Sequence, residues 1–197
     1  MKMFISSGQE QDRLFRAIET VPTVQAKAEW CFRWFDRDGC SFATRLIAFA
    51  IVEGVFFCSS FAAIYWFRQR GILPGLCFSN ELIARDETMH MRFACLLYSE
   101  LQEKVTDSEI YEMLDEAVEL EKAFFSGEWV SLASEWDAVD GLLDALCTPV
   151  IGLNASLMSD YIEYVADSLL ANLCLAAYYN KQNPVGGRLC HRSLMIN

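Results

Sequence analysis

Apolar residues recur three and four apart along most of this chain, and that spacing predicts helices. It is clear in QDRLFRAIETV and in TVQAKAEWCFRWF, with Pro22 as a break between them. From about Ser41 to Arg70 the sequence is nearly all apolar and reads as one long helix. It ends at RGILPGL, where Gly71, Pro74 and Gly75 make a turn. Ser79 or Asn80 can cap a further helix running through Glu81 to about Glu103, with Glu81 as an acid in its first turn. Thr106, Asp107 and Ser108 open the segment TDSEIYEMLDEAVELEKAFF, which carries Ile110, Met113, Leu114, Ala117 and Phe124 as apolar positions. A last helix covers about Leu157 to Tyr179. No useful length alternates at period two, and there is no repeat or low-complexity tract. The expected fold class is all-α, most simply an antiparallel bundle in one domain.

The segment Leu46–Phe67 admits two readings. As a helix it would be about 33 Å long, close to a bilayer core. The same composition suits a central bundle helix surrounded by others, and this is the reading adopted: the other helices are amphipathic and acidic, and no second span exists. The one charge in the segment is Glu53, and a carboxylate in either setting needs a partner. A metal ion would serve.

Composition narrows the function. With 53% hydrophobic and 22% charged residues, the 197-residue chain can build a core and is not disordered. A net charge of −11 with no basic cluster argues against nucleic acid as a partner. The eight cysteines (Cys31, Cys40, Cys58, Cys77, Cys95, Cys147, Cys174 and Cys190) are scattered, and no Cys-x-x-Cys occurs. A structural zinc site is not indicated, and a reducing, cytoplasmic setting is expected. The start MKMFISSGQEQD lacks the apolar run of a signal peptide.

The stretch NELIARDETMH, residues 80–90, contains one of the two histidines. Glu87 precedes His90 by three positions, so the two share a helix face and can reach one ion. In a sequence with 27 acids this spacing arises easily by chance, and an ordinary surface Glu–His pair is the plain alternative. The solitary acid of the preceding apolar segment changes the weight. Two antiparallel helices joined by a tight turn would set Glu53 opposite Glu87 and His90, as in di-iron carboxylate bundles.

These residues carry a family resemblance. The run FAIVEGVFFCSSFAAIYWFRQRGILPGLCFSNELIARDETMHMRFACLLY resembles the ribonucleotide reductase small subunit nearly position by position. The likeness extends upstream through LFRAIETVPTVQAKAEWCFRWF. Downstream it covers EAVELEKAFF, VIGLNASLMSDYIEYVADSLL and the Asn183–Pro184 pair. It implies a ferritin-like, usually dimeric bundle with a di-iron centre, sometimes containing manganese, that generates a tyrosyl radical. The radical passes to a large subunit that reduces ribonucleotides to deoxyribonucleotides. By this resemblance Glu53, Glu87 and His90 are metal ligands. Phe57, Phe61 and Ile83 belong to the apolar pocket around the radical. Asp86 orients the histidine and lies on the radical-transfer route beside Arg85.

The departures are equally specific. The family's first ligand helices, bearing an Asp, a Glu-x-x-His and the radical tyrosine, have no counterpart here. Asp12 and Glu19 are not at matching positions, Tyr65 and Tyr98 lie in other segments, and the second histidine is His191. The docking tail is likewise absent, so the expectation is a polypeptide truncated at both ends with half of a six-ligand set. GEWVSLASEWDAVDG, residues 127–141, is an extra stretch, with Trp129, Leu132 and Trp136 at helical spacing. Two functions are therefore carried forward. One is a small-subunit homologue that supports ribonucleotide reduction. The other is a non-catalytic paralogue or fragment that pairs with a complete subunit as a homo- or heterodimer. A membrane protein and a mono-metal enzyme are the remote alternatives.

Overall fold

The computed structural model describes residues 8, 12, 15–35, 39–69, 71–129 and 155–184. Among them there is no strand, as expected from the absence of period-two alternation. One short turn of helix, α1 (Ala17–Thr20), leads to α2 (Pro22–Phe35). Val21 is extended between them, and Pro22 occupies the first helical position, where its missing N–H costs nothing. α3 (Phe42–Gly54) is capped by Ser41, whose hydroxyl oxygen receives the Thr44 N–H at 3.0 Å.

The long apolar helix expected from Ser41 to Arg70 is interrupted. α3 stops at Gly54, Val55–Phe57 form a turn, and α4 (Cys58–Gln69) restarts the helix. The two pieces together, Phe42–Tyr65, are long and apolar enough to cross a membrane. Yet 56% of their most apolar window is buried inside the bundle, as in a central bundle helix.

α5 (Pro74–Glu100) also differs from expectation. It begins at Pro74 and not at a Ser79 or Asn80 cap. Leu73 takes the left-handed conformation (φ 49°) and Pro74 pre-sets the helical φ. Asn80 is instead buried within the helix, its Nδ2 donating to Phe61 O across to α4 at 3.3 Å. α5 ends where Tyr98 O accepts Leu101 N–H at 3.2 Å and Lys104 donates to the carbonyls of Tyr98 and Ser99. α6 (Asp107–Phe124) has the expected Thr106 cap, which accepts from Glu109 N–H at 3.3 Å, and runs into a π-helical turn, Phe125–Trp129. α7 (Ala155–Asn172) is shorter than the predicted helix to Tyr179. Cys174 goes left-handed (φ 59°), and the backbone then folds back. Asp167 collects the N–H groups of Tyr178, Tyr179 and Lys181 at 2.8–3.0 Å. Leu132, Trp136, Cys147, Cys190 and His191 lie outside the described residues.

The core runs through α2, α3, α6 and α7, where Trp30, Ile47, Ile51, Met113, Ile162 and Leu170 are at most 2% exposed. α5 packs along α3 with one face. Its other face leaves Phe78, Met89, Phe93 and Leu96 more than half exposed.

Candidate metal centre

Gly54 brings α3 and α5 together. A Cβ there would lie 3.1 Å from the Met91 side chain, tighter than ordinary contact, so a hydrogen at that position permits the approach. Beside it Glu53, in the last turn of α3, faces Glu87 and His90 on α5. One ligand atom from each of the three lies within 4.8 Å of the others. His90 Nδ1 is 2.8 Å from Glu87 Oε2 and 3.3 Å from Glu53 Oε2. The i, i+3 spacing on α5 and the lone acid of α3 thus meet, the arrangement the residue pattern suggested.

The electrostatics of the group are those of too many acceptors. Burial, then the neighbouring Glu87 carboxyl, push Glu53 up to about 7. Glu87 is held lower by the hydrogen bond from Glu53 and by His90. The hydrogen bond to Glu87 raises the imidazole, whose side chain is 54% exposed.

Glu53 and Glu87 also line a cavity of about 100 Å³ that reaches inward between α3, α4, α5 and α7. Phe61 and Tyr65 from α4 and Tyr161 and Leu169 from α7 form its walls. Of the pocket residues implied by the resemblance, Phe61 is here. Phe57 stands next to it, with ring centroids 6.2 Å apart, and is 38% exposed; Ile83 is 46% exposed on α5. Arg85 and Asp86 are both more than half exposed and face one another at 3.9 Å, while the ring nitrogen of His90 turns to the two glutamates.

Sequence reasoning missed a second carboxylate. Glu121 on α6 is fully buried and meets the start of α4, just after the Val55–Phe57 turn. Its Oε1 accepts Ser59 N–H at 3.0 Å and the Ser59 hydroxyl, and its Oε2 pairs with Lys27 of α2. Lys27 also donates to Phe56 O at 2.9 Å and lies 3.8 Å from the centre of the Phe124 ring. Burial raises Glu121 and Lys27 opposes that rise. A helical i, i+3 rule cannot find this network, because its members come from three helices.

A helical bundle whose α3 and α5 present two carboxylates and a histidine to one point has the ferritin-like all-α fold. Comparison with known proteins places it more narrowly. The family model "Ribonucleotide reductase, small chain" matches residues 1–184, and the protein belongs to that family. It is 48% identical over 181 residues to a ribonucleoside-diphosphate reductase small chain of Spisula solidissima, an alignment that takes in 92% of this sequence and 43% of the relative. Its identity to the corresponding small chain of Nicotiana tabacum is 47% over 184 residues, covering 93% and 50%. The solved structure of the Rnr4 homodimer from Saccharomyces cerevisiae superposes with a TM-score of 0.72 at 34% identity, over 87% of this sequence and 49% of that one. The chain spans about half the length of the relatives it matches.

Proposed function

We propose that the chain serves as a ribonucleoside-diphosphate reductase small subunit, supporting the radical-based reduction of ribonucleotides to deoxyribonucleotides through a metal held by Glu53, Glu87 and His90. The observation that carries this reading is the convergence of those three ligands within 4.8 Å from two helices. Two carboxylates and one imidazole are a donor set that suits ferrous or manganous ions. Burial and the facing Glu87 carboxyl disfavour a bare negative charge on Glu53, so a cation is welcome there and the residues fit such an ion. Bound there, iron or manganese supplies one-electron redox chemistry. Glu53, Glu87 and His90 hold it in place. Phe61 walls the adjacent cavity against water, and we assign Phe57 and Ile83 to the same apolar surround. Asp86 and Arg85, on the exposed side of α5, are assigned to the route toward a large subunit. The expected partners are that large subunit and a second small subunit, with neither nucleic acid nor membrane. The expected location is the cytoplasm, and 1–197 is read as one domain with 127–141 as an added stretch.

A second reading is favoured by one observation. Among the described residues a single group of three ligands is found, half of the six implied by the resemblance. On this reading the protein is a non-catalytic partner of a complete small subunit. Iron content after anaerobic ferrous loading and exposure to oxygen, with an electron paramagnetic resonance spectrum of the same sample, separates the two. Bound iron with a radical signal supports the first. Iron-free, radical-silent protein that forms a stable heterodimer supports the second.

A further inference from the structure

The interruption of the α3–α4 helix falls two residues after Glu53 and exposes backbone groups that an unbroken helix would satisfy. In such a helix Ser59 N–H would bond Val55 O, and Phe56 O would receive the N–H of Ser60. Here Val55 O accepts Cys58 N–H at 3.1 Å. Ser59 N–H goes to Glu121, and Phe56 O receives the Lys27 ammonium. One ion pair therefore supplies both an acceptor for the donor and a donor for the acceptor left at the break. Its side chains are nearly out of water, at 13% and 0% exposure. Leaving either backbone group bare in this interior would be costly.

The consequence reaches the ligand. Glu53 sits in the last turn before the break, so the direction in which α3 ends decides where its carboxylate points. The end is fixed from two sides: Gly54 lies against Met91, and Phe56 and Ser59 are tied to Lys27 and Glu121. We propose that Lys27 and Glu121 are positioning residues of the metal centre, an internal splint that holds the broken helix so that Glu53 meets Glu87 and His90. This inference rests on the metal reading given above.

The test uses manganous ion titrated into the full chain, with free Mn²⁺ read by electron paramagnetic resonance and folding followed by melting temperature. Replacing a buried pair with apolar residues of similar size need not destabilise the fold. The variant Lys27→Met/Glu121→Leu keeps the packing but leaves Ser59 N–H and Phe56 O without their partners, so it is expected to fold and to melt several degrees below the wild type. It is also expected to bind Mn²⁺ about 10-fold more weakly, the loss seen when a ligand's outer support is removed. If that variant does not fold, Glu121→Gln and Ser59→Ala make the same comparison with smaller changes. Glu116→Gln, which removes a half-exposed pair with Arg33 elsewhere on α6, leaves the affinity unchanged. Glu53→Gln is the control for the site itself. Weakening by Glu53→Gln with wild-type affinity in the splint variants overturns the positioning role and leaves the metal reading intact. Equal affinity in wild type and Glu53→Gln overturns both.

Discussion

Glu53 and Glu121 are two carboxylates set among apolar neighbours in one bundle, and the protein treats them in opposite ways. Around Glu121 it gathers donors: a backbone N–H, a hydroxyl and an ammonium. Around Glu53 it places another carboxylate and a half-exposed imidazole. A buried charge needs an answer. Glu121 finds its answer inside the bundle, three helices deep. Glu53 meets only the Glu87 carboxyl and the His90 ring, and faces a cavity. The contrast separates an acid used to build the fold from an acid we assign to a ligand, the first in an acid-rich amphipathic helix and the second in an apolar one.

The largest effect should come from breaking the closed network on one side only. Glu121→Ala leaves the Lys27 ammonium facing apolar groups and Ser59 N–H without its acceptor. A loss of about 3 kcal/mol is expected in urea unfolding at pH 7. A loss below about 1 kcal/mol would place Glu121 with ordinary surface pairs and dissolve the comparison. Next comes the helix approach beside Glu53. Gly54→Val drives a branched side chain into Met91, 3.1 Å from where its Cβ would lie, and should cost about 2 kcal/mol while weakening Mn²⁺ binding.

The third prediction concerns pH and has a definite sign. Glu53 titrates near 7 in the folded protein, above its ordinary value of 4.5. The folded state therefore keeps a proton that the unfolded state has lost. The contribution of Glu53 is neutral below about 4.5, becomes unfavourable as pH rises toward 7 and stays so above it. Glu53→Gln, which mimics the protonated form, should melt with the wild type at pH 4 and above it at pH 8. Added Mn²⁺ should reverse the order at pH 8, since only the wild type gains from binding. Identical melting curves at both pH values without metal would mean that Glu53 is not strained by its surroundings. The smallest effect is at the exposed Arg33–Glu116 pair, where Glu116→Gln should change stability by less than about 0.5 kcal/mol.

The ligand side of this contrast was legible in the sequence. Glu87 and His90 are three apart on a helix, and Glu53 is the lone charge of its apolar run. Local spacing therefore carried the geometry. The structural side was not legible. Ser59 and Glu121 are 62 residues apart, and nothing in ETVPTVQAKAEW or EAVELEKAFF announces that Lys27 and Glu121 will turn inward. For the same reason the break at Val55–Phe57 was invisible: VFF is as apolar as its neighbours, and the groups that make the interruption tolerable come from α2 and α6. The start of α5 was misplaced because Pro74 and Gly75 read as a turn, whereas Pro74 is the first residue of the helix. The end of α7 was placed too late because the residue that goes left-handed there is Cys174, a type that gives no such signal.

The central claim is that Glu53, Glu87 and His90 hold a divalent ion and the more deeply buried Glu121 does not. The most direct measurement is an anomalous difference map from crystals of the full chain grown with Mn²⁺. The account predicts a peak bounded by the carboxylates of Glu53 and Glu87 and the ring of His90, with Glu121 still paired to Lys27. No peak there under saturating Mn²⁺, or a peak at Glu121 in place of Lys27, would contradict it.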